Sequence, residues 1–179
     1  MKFIKAFFKH IFNRIWRLLR WIIFASVTGV ILGLVAAAFN FCLTEAVTLR
    51  ETNVGIAIFL PIVGLLIVYL YNKFSNAQDK GTNLVLSSIN SDEHIPLRMA
   101  PLIFISTVLT QMFGGSAGRE GAALQIGGSI GNYLGNWFKL DSKDKKVFIM
   151  SGMSAAFSAI FGTPVAAAIF SIEVGSVGI

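Results

Sequence analysis

The sequence predicts an all-α, polytopic membrane protein built partly from broken helices. Three observations carry that expectation. Of its 179 residues 55% are apolar and only 13% charged, with mean hydropathy +0.72. Soluble domains carry about 25% charged residues, and half that fraction leaves too little polar surface for a water-soluble particle of this size. The charges sit in short stretches between long uncharged runs, and two of the later runs are interrupted, by Gly114-Gly115-Ser116-Ala117-Gly118 and by Gly162-Thr163-Pro164.

The first element is a basic arm. Lys2, Lys5, Lys9, Arg14, Arg17 and Arg20 are six of the 15 basic residues, and no acid precedes Glu45. The remaining chain has nine basic and nine acidic residues, so the whole +6 charge lies in residues 1–20. Phe3, Ile4, Phe7, Phe8, Ile11, Phe12, Ile15 and Trp16 recur at helical spacing between these cations, the pattern of an amphipathic helix. A basic arm next to an apolar span is attracted to anionic headgroups. The charge balance therefore points to a membrane surface and not to nucleic acid, and its plainest role is a positive-inside anchor.

Trp21 to Thr44 follows, 24 residues without a charge, about 36 Å as a helix and enough to cross a bilayer. Glu45, Arg50 and Glu51 mark an expected polar loop, and Thr52 to Asn72 is a second uncharged run of 21 residues. Together they read as a hairpin of complete spans. The distribution of Lys and Arg puts the N-terminus in the cytoplasm, the 45–51 loop outside, and the 73–98 segment, with Lys73, Lys80 and Arg98, back inside. The expected domains are the arm, 1–20, and a membrane domain, 21–179.

Beyond Arg98 the runs are Met99 to Gly118, Gly121 to Phe138 and Val147 to Ile172, with KLDSKDKK (139–146) as a polar break. Irregular backbone at membrane depth survives only where protein buries it or it lines an aqueous path, and discontinuous helices of this kind build ion sites in transporters. Gly127, Gly131 and Gly135 fall on one helix face and Gly29 with Gly33 on another, spacings that let helix backbones approach closely.

The chemistry concentrates in Gly114 to Gly121, GGSAGREG. A glycine-rich loop opening a helix presents several backbone N–H groups, and the helix dipole adds about half a positive charge there. Such a start holds a small anion without a full cationic charge, so the anion also leaves. Glu120 occupies that position. An ionised carboxylate competes with an external anion for the same donors, whereas a protonated one has no reason to stay, so protonation and occupancy are linked. An acid within the membrane is a functional candidate because inserting it costs about 2.5–3.5 kcal/mol. The competing reading is a local ion pair with Arg119, which adjacent helical positions disfavour.

The run GGSAGREGAALQIGGSIGNYLGNWF resembles the chloride channel (CLC) family of anion channels and anion/proton antiporters, with its Gly-Arg-Glu-Gly motif and Gln-Ile-Gly-Gly continuation. GMSAAFSAIFGTPVAAAIFSIE is similar to that family's next helix pair. Gly81-Thr82-Asn83-Leu84 and the PLRMAP stretch (96–101) look like the bacterial fluoride/proton antiporter branch, in place of the Gly-Ser-Gly-Ile-Pro loop of chloride-selective members. The resemblance implies the first half of an inverted-repeat fold that exchanges fluoride for protons in the plasma membrane as a homodimer. It makes Glu120 the gating and proton-coupling residue, brings Thr82 and Asn83 to the anion, and has the backbone from Gly118 through Arg119 and Glu120 to Gly121 hold it. Chloride/proton antiport and passive anion conduction are the alternatives within the family.

The departures also matter. Ala122 stands where many members carry proline. Glu173 matches the first of two consecutive acids at the end of the Phe-x-Ile-Glu run, but Val174 replaces the second, the usual internal proton acceptor. Glu173 is therefore read as a structural helix-end acid. The second repeat, with a further anion-coordinating helix start and a central tyrosine, is not in these 179 residues. A fragment, a truncated frame, a half that pairs with a second half-transporter chain, and a non-transporting membrane partner are all compatible with that. No Ser–His or paired-carboxylate constellation suggests an enzyme, and no motif calls for a cofactor. Cys42 is single, and His94, beside Asp92 and Glu93, has no second ligand at metal spacing. His10 reads the same way, and Trp16, Trp21 and Trp137 read as interfacial anchors.

Overall fold

The computed structural model describes residues 2–74, 85 and 95–176. Its described elements are α1 (Lys2–Thr52), a 3-10 helix (Val54–Phe59), α2 (Leu60–Phe74), α3 (Met99–Met112), α4 (Arg119–Trp137), α5 (Ser142–Phe161) and α6 (Pro164–Ser176), with no strand among them. The all-α expectation holds.

α1 differs from what the charge pattern suggested. The arm and the first span are one unbroken helix of 51 residues. The expected 45–51 loop is helical too, the last turns of α1. Charge marks where a helix leaves an apolar environment, not where it ends. The sequence there, Glu45 to Thr52, contains neither Gly nor Pro, and Thr44, Thr48 and Thr52 return their hydroxyls to the carbonyls of Asn40, Thr44 and Thr48 at 2.9–3.1 Å. The chain turns at Asn53, which leaves the helical conformation at φ −133° and ψ 72°.

The later breaks fall close to where the sequence put them. α5 stops at Gly162, left-handed at φ +69°, whose N–H bonds the Ser158 carbonyl at 2.8 Å. Pro164 then opens α6, where a missing N–H costs nothing. The 139–146 break is shorter than its charges implied. Asp141 caps α5, accepting from the Asp144 N–H at 2.8 Å, so Ser142 onward is already helical. α3, with 14 residues, and α6, with 13, are only about 20 Å long at 1.5 Å per residue. Each is too short to cross a hydrocarbon core of about 30 Å.

The core lies where α1, α3, α4 and α5 meet, around Phe39, Leu43, Met99, Ile103, Ile126 and Met153. Phe39 rests on Phe104 with centroids 5.1 Å apart, which fixes α1 to α3. The α4–α5 crossing is backbone on backbone. A Cβ added at Gly131 would lie 2.7 Å from the Phe148 carbonyl oxygen, and one at Gly127 would collide with the Gly152 carbonyl. Gly135 packs beside Lys145 and Phe148, so the predicted small-residue face is a contact face. Gly29 and Gly33 are not: a Cβ at either meets nothing within 4 Å. At the far end of this crossing an aromatic cluster ties in α1, with Phe24 stacked on Phe138 at 4.2 Å and tilted edge-on to Phe148 at 6.3 Å. Much of the outer surface is apolar, including Ile62, Leu65 and Val68 on α2 and Val165, Ile169 and Ile172 on α6, as a lipid-facing protein requires.

Candidate functional site

The connection from α3 to α4 builds the site. α3 ends in a tight turn, with Phe113 N–H bonding Leu109 O at 3.1 Å and Gly115 N–H bonding Thr110 O at 2.8 Å. Gly114 takes φ +88°, a conformation open to glycine at little cost, and it lies against Ala57 and Arg50. Gly115 is required for space, since an added Cβ would stand 2.6 Å from the Thr110 methyl and 3.2 Å from a Leu60 methyl. The loop is then braced from α3, where the Gln111 carboxamide donates to the Ala117 carbonyl at 2.8 Å.

Gly118 is extended (φ −73°, ψ 132°) and serves as the N-cap of α4, and no side chain caps the helix. The first N–H groups of a helix have no intrahelical partner. Here they open at a glycine with nothing within 4 Å of where its Cβ would be. Glu120 lies in this first turn, where the helix dipole favours its negative charge. Gly118 and Glu120 are exposed, Arg119 and Gly121 half-buried. No ion pair joins Arg119 to Glu120 among the described residues, so the local-pair reading loses its geometric support. The arrangement is an uncapped helix start, open on one side, with one acidic residue in its first turn.

Thr82 and Asn83, expected near the anion, lie outside the described residues, as do Asp92, Glu93 and His94; the His10 side chain is likewise not described. Glu173 falls in the last turns of α6, exposed, while Val174 is half-buried against the core. Trp16 and Trp137 are exposed and Trp21 half-buried.

Sequence reasoning missed a buried polar face. Gln125, Ser129 and Asn132 follow one another at helical spacing along α4, and Ser129 and Asn132 are fully buried. The Asn132 carboxamide donates to the Ile95 carbonyl at 2.7 Å, pinning α4 to the lead-in of α3. It also missed a cavity of about 480 Å³ between α1, α5 and α6, lined by Ser154 and Ser158 and by the buried hydroxyls of Thr28 and Ser171, which have no hydrogen-bond partner among the described residues. The 3.6-residue spacing of the α4 polar residues was a readable signal; the cavity, made by three distant segments, had none.

A family model described as voltage gated chloride channel matches residues 63–179. The chain belongs to that family. Within it, the chain is 37% identical over 160 residues to a chloride/fluoride channel protein of Pseudomonas syringae pv. tomato, covering 89% of this chain and 35% of that one. It is 28% identical to the H(+)/Cl(-) exchange transporter ClcA of Citrobacter koseri, covering 83% and 35%. Its structure is similar to that of a CLC-type fluoride/proton antiporter, with TM-score 0.78 and 40% identity over 84% of this chain and 38% of the other. A slow cyanobacterial Cl-/H+ antiporter matches with TM-score 0.69 at 22% identity over 87% and 44%, a likeness of fold. The chain thus spans a little over a third of the length of the relatives it matches. Membership places the protein in a membrane, in agreement with its composition.

Proposed function

We propose that this chain supplies half of an anion pathway, and that the assembled transporter exchanges fluoride for protons with Glu120 as its gate. The observation that carries this reading is the position of Glu120 in the first turn of an uncapped helix start, reached through a tight loop whose Gly114 and Gly115 leave no place for a side chain. Ionised, the carboxylate takes the donors for itself; protonated, it yields them to a halide. One side chain therefore links occupancy by the anion to occupancy by a proton. Fluoride is favoured over chloride by the resemblance of the Gly81-Thr82-Asn83-Leu84 sequence to the fluoride/proton antiporter branch and by the similarity to a fluoride/proton antiporter. The protein is a transporter and not an enzyme, and it works without a cofactor.

In this reading the chain is multi-pass in the plasma membrane with its N-terminus in the cytoplasm, since Arg14, Arg17 and Arg20 precede the first span. The open side of the site is closed by assembly, in a homodimer or with a second half-transporter chain. Proteoliposomes carrying the assembled transporter test the proposal: fluoride leaves faster than chloride and protons move in the opposite direction. In Glu120→Gln the proton movement is lost. Equal rates for the two halides refute fluoride selectivity and leave a chloride/proton antiporter or channel. Proton coupling that is unchanged in Glu120→Gln removes this residue from the mechanism.

A further inference from the structure

A second recess lies far along the chain from Glu120, at the boundary between the basic arm and the first apolar run. It has a volume of about 340 Å³ and is lined by Trp16, Arg17, Arg20, Trp21 and Phe24 of α1, by Leu140 of the α4–α5 turn and by Asp144 of α5. Arg17 and Arg20 are three positions apart and so share one face of α1. Arg20 is the last charge before the 24-residue uncharged run, which sets both guanidinium groups at headgroup depth, within about 6 Å of the start of that run along the helix axis. Trp16 and Trp21 flank them, residues that favour the same layer.

The recess is built and not merely charged. The Arg20 guanidinium carbon sits 5.3 Å from the centroid of the Phe24 ring, and that ring is itself stacked on Phe138. Phe24 and Leu140 give the recess apolar surface beside the arginines. Asp144 brings a carboxylate to the same space, and its side chain is not spent on the helix start, because Asp141 is the cap of α5. Among the described residues no ion pair joins Asp144 to Arg17 or Arg20. Two cations and one anion therefore line one small volume with no ion pair between them among the described residues.

We propose that this recess binds the headgroup of a phospholipid bearing a primary ammonium. Its phosphodiester lies against Arg17 and Arg20, its ammonium against Asp144, and the first carbons of its tails against Phe24 and Leu140. A phosphate diester matches the guanidinium donors. The carboxylate disfavours a headgroup with negative charge alone and favours one carrying its own cation. The shared chemistry of phosphate also admits a soluble phosphate compound; the membrane source is favoured by the depth of the arginines and by the apolar surface next to them.

Native mass spectrometry of the full 179-residue chain, released from detergent in an equimolar mixture of phosphatidylethanolamine, phosphatidylglycerol and phosphatidylcholine, tests this. The expected result is retention of phosphatidylethanolamine above the other two by about threefold, the scale of one exposed ion pair. Arg17→Gln with Arg20→Gln lowers that retention by roughly tenfold, two such pairs being lost, with helicity by circular dichroism unchanged. Asp144→Asn keeps lipid bound but removes the preference over phosphatidylglycerol, an outcome that misfolding does not produce. Retention by the double arginine variant equal to the parent, or phosphatidylglycerol bound better than phosphatidylethanolamine by the parent, overturns the proposal. So does displacement of the lipid by millimolar inorganic phosphate or phosphoethanolamine, which would assign the recess to a soluble ligand.

Discussion

Replacing Gly131 by alanine separates packing from propensity at the α4–α5 crossing, the contact that holds the helix carrying Glu120. The new Cβ would stand 2.7 Å from the Phe148 carbonyl oxygen and 3.3 Å from the Ile149 Cα, where ordinary contact begins at 3.4 Å. Both neighbours are backbone, so neither swings aside as a side-chain tip does, and the two helices must move apart. Overpacking of this kind costs about 1–3 kcal/mol. Glycine to alanine within a helix returns up to about 1 kcal/mol of propensity. Gly29→Ala supplies the control, because it carries the same propensity gain and its Cβ meets nothing within 4 Å. The difference between the two variants therefore isolates the crossing, and Gly131→Ala should be the less stable by about 1–3 kcal/mol. Unfolding in mixed micelles of a nonionic and a denaturing detergent, followed by far-ultraviolet circular dichroism, measures both. Stabilities within about 0.5 kcal/mol of each other, the scatter of ordinary surface substitutions, would refute the backbone-contact account.

Other outcomes follow from the same geometry. Gly114→Ala forces a side chain onto a residue at φ +88° and should cost about 1–2 kcal/mol, read as a lower midpoint in the same unfolding assay. Asn132→Ala leaves the buried Ile95 carbonyl without its 2.7 Å donor and should cost about 1–3 kcal/mol. Thr28→Val and Ser171→Ala remove buried hydroxyls that have no partner among the described residues, so each should be neutral or stabilising in that assay; a clear loss of stability would mean that the cavity hydroxyls are engaged.

Legibility varied with the kind of signal. The interruptions at Gly114–Gly118 and Gly162–Pro164 were readable because glycine and proline act locally, through backbone conformation. The face of Gly127, Gly131 and Gly135 was readable because helical periodicity converts spacing into a side of a cylinder. The same periodicity misread Gly29 and Gly33, since a small-residue stripe permits a close approach without supplying a neighbour. The polar stretch at Glu45 to Glu51 was misread as a loop for a different reason. Charge reports the surroundings of a helix, while its termination depends on caps and breakers, and the first of these is Asn53. At the candidate site, the uncapped start and the placement of Glu120 were in the motif itself. That Arg119 leaves Glu120 unpaired was also legible, because adjacent positions on a helix point to different sides.

The length of α1 has a mechanical consequence. Fifty-one residues without a break make a rod of about 76 Å, far longer than a bilayer of about 40–45 Å with its headgroups. A stiff beam of that length accommodates a thinner or thicker membrane by leaning, and leaning moves its two tips in opposite directions. Arg17 and Arg20 lie about 25 Å in from one tip; near the other, the Arg50 side chain lies beside Gly114, four residues before Gly118, the N-cap of the helix that carries Glu120. A lean of this single girder would therefore shift Arg50 relative to Gly114, where the loop toward Glu120 begins.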